Sequence, residues 1–155
     1  MADKKIAALA YPAQFEPQPE GGFLISFPDF CTQAQPGGGG YGEAAGYDEA
    51  LRQAGDLLET IVSSHLAEGW DLPLPSPARG RPLIALDPLV AAKAELYRAM
   101  RAGGVTETEL AGRLGVEPRQ VLRLLDPKYK SRIGELSAAF AAVGRRLVIT
   151  SEAAE

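Results

Sequence analysis

Residues 106–125 constrain the fold more than any other stretch, because they predict two short helices joined by a tight turn. Thr106 with Glu109 three positions later is a capping box, in which each side chain binds the other residue's backbone N–H group. Gly115 ends that helix, since glycine adopts the left-handed conformation without steric cost. Pro118 suits the first turn of the next helix. This arrangement is typical of a helix-turn-helix.

Apolar residues in both helices recur at the spacing of a buried face. They are Leu110, Ala111 and Leu114 in the first helix, and Val121, Leu124 and Leu125 in the second. The small side chain of Ala111 lets the two helices cross closely. Arg119, Gln120 and Arg123 are left on the outer face of the second helix, where a recognition helix contacts base edges in the major groove.

The segment after the second helix is basic, and Lys128, Lys130 and Arg132 are placed to contact the phosphate backbone. The predicted DNA-contacting residues are Thr106, Glu117, Arg119, Gln120, Arg123, Lys128, Lys130 and Arg132. The alternative is that these side chains are simply the solvated surface of an apolar helix pair. If they read an operator in double-stranded DNA, paired half-sites predict a homodimer or a higher even-numbered oligomer.

Charge is divided unevenly along the chain. Residues 1–87 carry five Lys or Arg against twelve Asp or Glu, a net charge of −7, whereas residues 88–155 carry eleven against eight, a net charge of +3. An acidic region suits a basic protein partner and a basic region suits phosphate, although the acidic half is equally consistent with ordinary solubility charge. We predict two domains, 1–87 and 88–155, with the Asp87-Pro88 pair at the start of a helix.

The N-terminal domain is predicted to be α+β, with a small antiparallel sheet and one long helix. Aromatic and β-branched residues predominate over 23–27, with Phe23, Ile25 and Phe27 on one face, so this run is the clearest predicted strand. Residues 4–11 and 81–86 are weaker strand candidates, and residues 30–35 are expected to complete an antiparallel meander. Residues 47–68 form an amphipathic helix, with Leu51 among its apolar residues and Gly69 at its end.

The C-terminal domain is predicted to be all-α around the helix-turn-helix. A helix over 89–102 precedes the motif, a fourth helix follows it and ends at Gly144, and residues 145–150 form a short strand. In the N-terminal domain the run 36–42 is interpreted as a glycine-rich loop. It lacks the lysine or hydroxyl residue of a phosphate-binding loop, so no nucleotide cofactor is expected.

Catalysis by this chain is not predicted. The carboxylates Glu16, Asp29, Asp48 and Asp71 are explained as turn and cap residues, whereas two-metal cleavage requires several converging carboxylates. His65, the single histidine, lies beside the apolar edge of the long helix and has no metal-ligating neighbour in the sequence. We predict no catalytic residue, no metal and no cofactor.

The expected compartment is the cytoplasm. Cys31 is the single cysteine, so no internal disulfide can form, and no charged-then-apolar leader opens the sequence. No apolar run reaches the roughly 20 residues needed to cross a bilayer, so no membrane partner is expected.

Motifs in both halves of the chain point to one family. They are Tyr11-Pro-Ala-x-Phe-Glu-Pro, Gly21-Gly22-Phe-x-Ile-x-Phe-Pro-Asp-Phe, Leu74-Pro75-Ser76, Lys93-Ala-x-Leu-Tyr, Leu114-Gly115-Val116 and Arg123-Leu-Leu-Asp-Pro. In this order, over nearly the whole chain, they resemble the HicB antitoxins of HicA–HicB toxin–antitoxin pairs. Cys31 follows Phe30 directly, where the family usually has Pro-Gly-Cys.

The resemblance implies a partly formed RNase H-like N-terminal domain that binds and blocks a HicA-type toxin, a small basic protein that cleaves mRNA. It also implies a C-terminal domain that dimerises and represses the pair's own promoter, in the helix-turn-helix version rather than the ribbon version. The candidate toxin contacts are Phe23, Asp29 and Phe30. The alternative is a stand-alone helix-turn-helix transcription regulator whose N-terminal domain senses a ligand or drives assembly.

Overall fold

The computed structural model describes residues 9–31 and 41–153. The chain divides into two compact units, Met1–Ala91 and Ala92–Glu155. Within the described residues, the first unit contains five short strands and one long helix, and the second unit is helical. The predicted α+β class, with antiparallel strands and a single long helix after them, is confirmed.

The strands form two small antiparallel sheets instead of one meander. In the first sheet β1 (Ala10–Pro12) pairs with β5 (Leu83–Ala85). In the second, β3 (Phe23–Ser26) lies between β2 (Gln14–Pro17) and β4 (Gly42–Ala44). The predicted strands over 23–27 and 81–86 are therefore confirmed with shorter bounds. Residues 4–8 of the first predicted strand lie outside the described residues.

The third strand is not where the sequence predicted it. Pro28–Phe30 forms one 3₁₀ turn, closed by hydrogen bonds of 3.0 Å from the N–H groups of Phe30 and Cys31 to the carbonyls of Phe27 and Pro28. The predicted strand over 30–35 is thus wrong at its start, because Pro28 has a fixed φ and begins a turn. Residues 32–40 lie outside the description, and β4 takes the place beside β3.

Helix α1 (Tyr47–Glu68) has the predicted bounds, and Gly69 ends it with a φ of +72°. Its buried side chains are Ala50, Ala54, Leu58, Ile61, Val62 and His65. Leu51, predicted as part of this stripe, is exposed, because it lies about 100° around the helix from Ala50. No helix in the described ranges is long and apolar enough to span a membrane.

The core of the first unit forms between α1 and the two sheets. Tyr11, Ile25, Phe27 and Phe30 are at most 1% exposed, and the Tyr11 and Phe30 rings lie 4.7 Å apart between centroids. The Tyr11 hydroxyl donates a 2.7 Å hydrogen bond to the carbonyl of Pro73, so its polar end is satisfied. This bond fixes the segment that follows α1 against β1.

The second unit is built from four helices, the first of which begins just before the unit boundary. They are α2 (Pro88–Ala102), α3 (Glu107–Leu114), α4 (Pro118–Leu125) and α5 (Ile133–Ala142). Their positions agree with the sequence prediction. The predicted strand over 145–150 is wrong for the isolated chain, because these residues pair with no strand in the described ranges.

Candidate functional site

Helices α3 and α4 are joined by a turn of three residues, so the two predicted short helices and the tight turn between them are present. The Thr106 hydroxyl accepts a hydrogen bond of 3.1 Å from the N–H group of Glu109, and Gly115 ends α3 with a φ of +67°. Leu110 and Ala111 of α3 and Val121 of α4 are at most 2% exposed. The small Ala111 side chain thus lies in the packed face, as the sequence predicts.

Replacing Thr106 with alanine is expected to lower the free energy of unfolding of the second unit by about 1 kcal/mol, because the N–H group of Glu109 loses its cap. Thr108 is an exposed residue inside α3 and provides the control. Thr108→Ala should be neutral or slightly stabilising, since alanine has the higher helix propensity. Chemical denaturation of both variants measures the difference, and equal effects would contradict the capping role.

The outer face of α4 presents Arg119, Gln120 and Arg123 to solvent, together with the apolar Leu122. The side-chain oxygen of Gln120 accepts a 3.2 Å hydrogen bond from the N–H group of Glu117 and so helps to begin α4. The Gln120 amide nitrogen is therefore the group that can donate to a base edge. The face carries the donors that major-groove recognition requires, and contact with DNA stays a prediction for each of these residues.

The segment between α4 and α5 turns back beside the C-terminal end of α4. The Asp126 carboxylate accepts a 3.0 Å hydrogen bond from the N–H group of Lys128, and the Asp126 carbonyl accepts one of the same length from Tyr129. The Arg123 guanidinium lies 5.5 Å from the centre of the Tyr129 ring, within cation–π range. Lys128, Lys130 and Arg132 are exposed, as predicted.

The side chain of Lys93 in α2 joins the end of α4 to the basic segment that follows it. Its side chain is 0% exposed. Its ammonium donates hydrogen bonds of 2.9 Å to the carbonyl of Arg123, 2.7 Å to the carbonyl of Asp126 and 2.8 Å to the hydroxyl of Ser131. The three acceptors match the three N–H donors of a protonated amine. The C-terminal end of α4 also stabilises the positive charge of the ammonium, because the last carbonyls of a helix carry partial negative charge.

Two opposing effects act on the pKa of Lys93. Burial lowers it from the usual 10.5, and the charges of Asp126 and Glu135 partly offset that lowering. The sequence analysis assigned no structural role to Lys93, although its position among the apolar residues of α2 indicates burial. Lys93 occupies the helical spacing of the buried residues Val90, Ala94 and Tyr97, so it falls on the apolar stripe of α2.

The three predicted toxin contacts occupy different environments. Phe30 is 1% exposed and packs on Tyr11 and His65, so its ring is not available at the surface of the folded unit. Asp29 is half-buried, and its carboxylate accepts a 3.0 Å hydrogen bond from the N–H group of Ser76. Phe23 is half-buried and is the first residue of β3. Of the three, Phe23 has the environment that suits a contact with a partner.

Phe23 belongs to an aromatic cluster with Phe15 and Tyr47. The ring centres lie 5.6 Å apart for Phe15 and Tyr47, 6.2 Å for Phe15 and Phe23, and 6.3 Å for Phe23 and Tyr47. Tyr47 is more than half exposed and the two phenylalanines are partly exposed. Large aromatic side chains that remain accessible are typical of protein interfaces.

The opposite face of the same sheet is acidic. Glu16, Leu24 and Glu43 stand in register across β2, β3 and β4, and both carboxylates are exposed. Their charges suit a basic partner, although an acidic cluster alone does not define a binding site.

His65 is a buried residue of the core of the first unit. Its Nδ1 lies 2.8 Å from the carbonyl of Ile61, and its ring packs edge-on against Phe30 and Trp70. Within residues 9–31 and 41–153, no group of three or more His, Cys, Asp or Glu side chains is arranged to hold a metal ion.

The comparisons with known proteins agree on one family. The family model described as the HicB_like antitoxin of bacterial toxin-antitoxin system matches residues 10–95. Antitoxin HicB 1 of Photorhabdus laumondii subsp. laumondii is 31% identical over 147 residues, covering 95% of this chain and 90% of the relative. Antitoxin HicB of Escherichia coli is 32% identical over 143 residues, covering 90% of this chain and 96% of the relative. Antitoxin HicB of Pseudomonas fluorescens is 35% identical over 109 residues, covering 69% of this chain and 75% of the relative.

Proposed function

Because the chain belongs to the HicB-like antitoxins of bacterial toxin–antitoxin systems, we propose that its first unit neutralises a HicA-type toxin and its second unit represses their shared operon. Proteins of this family are regulators without enzymatic activity, so the chain is not an enzyme. The toxin expected as partner is a small basic protein that cleaves mRNA.

The observation that carries the proposal is the family match over residues 10–95, a range that includes α1 and the five strands of the described residues. In the first unit, one face of the sheet formed by β2, β3 and β4 carries exposed carboxylates, and accessible aromatic rings lie at the opposite face. A basic ribonuclease is attracted by the carboxylates and can bury the aromatic rings. These features together support our proposal that the first unit binds a toxin.

Support for DNA binding comes from the second unit. The outer face of α4 carries two arginines and an amide, and the neighbouring segment adds three basic side chains that stay in solvent. Lys93 holds the backbone of this segment against the end of α4, so the two basic surfaces keep one arrangement. A fixed arrangement lowers the cost of ordering these groups on DNA.

Co-expression of the full chain with the small basic reading frame expected beside its gene tests neutralisation. The two proteins should purify together, and mRNA cleavage should appear only after the toxin is separated under denaturing conditions and refolded. Restored inhibition on adding back the full chain supports the antitoxin role. A toxin that cleaves mRNA equally with and without the chain would contradict it.

Replacing Arg119 with alanine is expected to cost about 1–3 kcal/mol in binding to the specific operator and little on unrelated DNA, because Arg119 is exposed on the outer face of α4. Lys130→Ala is the matched control and should weaken binding to all sequences alike, with a salt slope reduced by about one unit. Titrations at several salt concentrations, on operator and scrambled duplexes, measure both effects. If neither substitution alters operator binding, the assignment of α4 as recognition helix is wrong.

A further inference from the structure

The ring of Tyr129 contacts two cations of the second unit. The Arg123 guanidinium carbon lies 5.5 Å from the ring centre, and the Lys93 ammonium nitrogen lies 5.7 Å from it. Both distances are within the range of a cation–π interaction. Lys93 is fully buried, whereas Arg123 is exposed on the outer face of α4. The ring therefore links a buried charge to a side chain that is predicted to contact a base.

The backbone that carries this ring is fixed on both sides. The N–H group of Tyr129 donates a 3.0 Å hydrogen bond to the carbonyl of Asp126, and the Tyr129 carbonyl accepts one of 3.0 Å from the N–H group of Ser131. The Lys93 ammonium binds the same Asp126 carbonyl at 2.7 Å and the Ser131 hydroxyl at 2.8 Å. Tyr129 is thus anchored to the core of the unit through its neighbours, although it is itself 43% exposed.

We propose that Tyr129 is a positioning residue, which holds the Arg123 side chain in the orientation that reads a guanine in the major groove. The inference rests on the proposed function and adds to it a residue and a base. A guanidinium that stacks on an aromatic ring keeps the N–H donors at its edge free. Those donors form the paired hydrogen bonds to O6 and N7 of guanine. A side chain held in this way loses less entropy when it binds DNA.

Arg119 provides an internal comparison on the same helix. It is exposed on the outer face of α4, as Arg123 is. Within residues 9–31 and 41–153, however, no aromatic ring lies at cation–π distance from Arg119. Its side chain can become ordered only on DNA. The contribution of Tyr129 to recognition should therefore be confined to the base that Arg123 contacts.

A double-mutant cycle on the full chain tests the link between Tyr129 and Arg123. The probe is a DNA duplex that carries the promoter region of the chain's own gene. Tyr129→Leu removes the ring and should raise the dissociation constant about two- to fivefold, the size of an exposed cation–π contact. In an Arg123→Ala background the same substitution should change it by less than about 1.5-fold. In an Arg119→Ala background the full effect should persist.

A base analogue identifies the guanine. In 7-deazaguanine the N7 acceptor is missing, so each guanine of the promoter duplex is replaced by it in turn. One position should weaken binding by the wild-type chain at least about fivefold and binding by Arg123→Ala hardly at all. Tyr129→Leu should show a smaller loss than the wild-type chain at that position alone. Tyr129→Phe keeps the ring and should behave as the wild-type chain does.

A scrambled duplex separates positioning from a general structural role. Tyr129→Leu should bind the scrambled duplex within about twofold of the wild-type chain, because contacts to phosphate do not depend on the orientation of Arg123. Equal losses on the promoter and scrambled duplexes would overturn the inference. Additive effects of Tyr129→Leu and Arg123→Ala would overturn it too, as would equal losses for Tyr129→Phe and Tyr129→Leu, which would assign the effect to the hydroxyl.

Two further outcomes do not depend on how well the Tyr129 variants fold. If no guanine shows a loss that depends on Arg123, the proposed reading of guanine is wrong, although repression of the operon through other contacts would stand. If the wild-type chain binds promoter and scrambled duplexes equally, the proposed repression itself is contradicted, and the inference falls with it. The comparison of promoter and scrambled duplexes on the wild-type chain therefore distinguishes the two failures.

Discussion

Replacing Lys93 with methionine is expected to lower the free energy of unfolding of the second unit by about 3–5 kcal/mol. Methionine has a similar length and fills the buried space. It leaves the carbonyls of Arg123 and Asp126 and the hydroxyl of Ser131 without the donor they share. Amide hydrogen exchange, measured segment by segment, should show the loss of protection in α4 and its flanking turn.

Lys128→Met provides the matched control, because Lys128 loses the same charge from an exposed position. It should change the free energy of unfolding by less than about 0.5 kcal/mol. The Lys93 variant should also bind the operator more weakly, because the basic segment is no longer held against α4. This loss should be seen even at temperatures well below the unfolding transition of the variant. Equal stability of the two variants would show that the buried ammonium contributes no net stabilisation.

Phe30→Ala is expected to destabilise the first unit by about 3–5 kcal/mol, because it removes a buried ring that packs on Tyr11 and His65. The fluorescence of Trp70, the single tryptophan, reports the transition because its ring lies 5.3 Å from that of His65. Toxin inhibition by this variant should fall only in proportion to the unfolded fraction. A strong loss of inhibition by the fully folded variant would return Phe30 to the set of toxin contacts.

Phe23→Ala separates partner binding from stability. Phe23 is half-buried in the cluster with Phe15 and Tyr47, so its truncation should cost less in unfolding free energy than that of Phe30. If the cluster is part of the toxin interface, the dissociation constant of the toxin complex should rise about tenfold or more. Unchanged toxin affinity in the folded Phe23 variant would exclude this surface.

The parts of the fold that local chemistry specifies could be predicted from the sequence. The bounds of α1 follow from an apolar stripe that ends at Gly69, and α3 and α4 follow from Thr106, Gly115 and Pro118. In each case the residues that begin or end the helix lie next to it in the chain. The outward position of Arg119 and Arg123 then follows from helical geometry.

The parts that depend on distant pairing could not be predicted. Strand β4 has the sequence Gly-Glu-Ala, which has low strand propensity, and it is extended because it pairs with β3. At Gly22 an added Cβ would lie 2.4 Å from the carbonyl oxygen of Ala44, a contact that no local pattern indicates. Lys93 was missed for the same reason, since its three acceptors lie 30 to 38 positions later in the chain.

The pairing of β1 with β5 has a consequence for synthesis on the ribosome. Ala10 lies opposite Ala85, so the first sheet cannot form until nearly the whole first unit has left the exit tunnel. A chain that must close such a long loop folds more slowly than one built from neighbouring elements. The helices of the second unit emerge next. The first unit therefore completes its fold only after β5 has emerged.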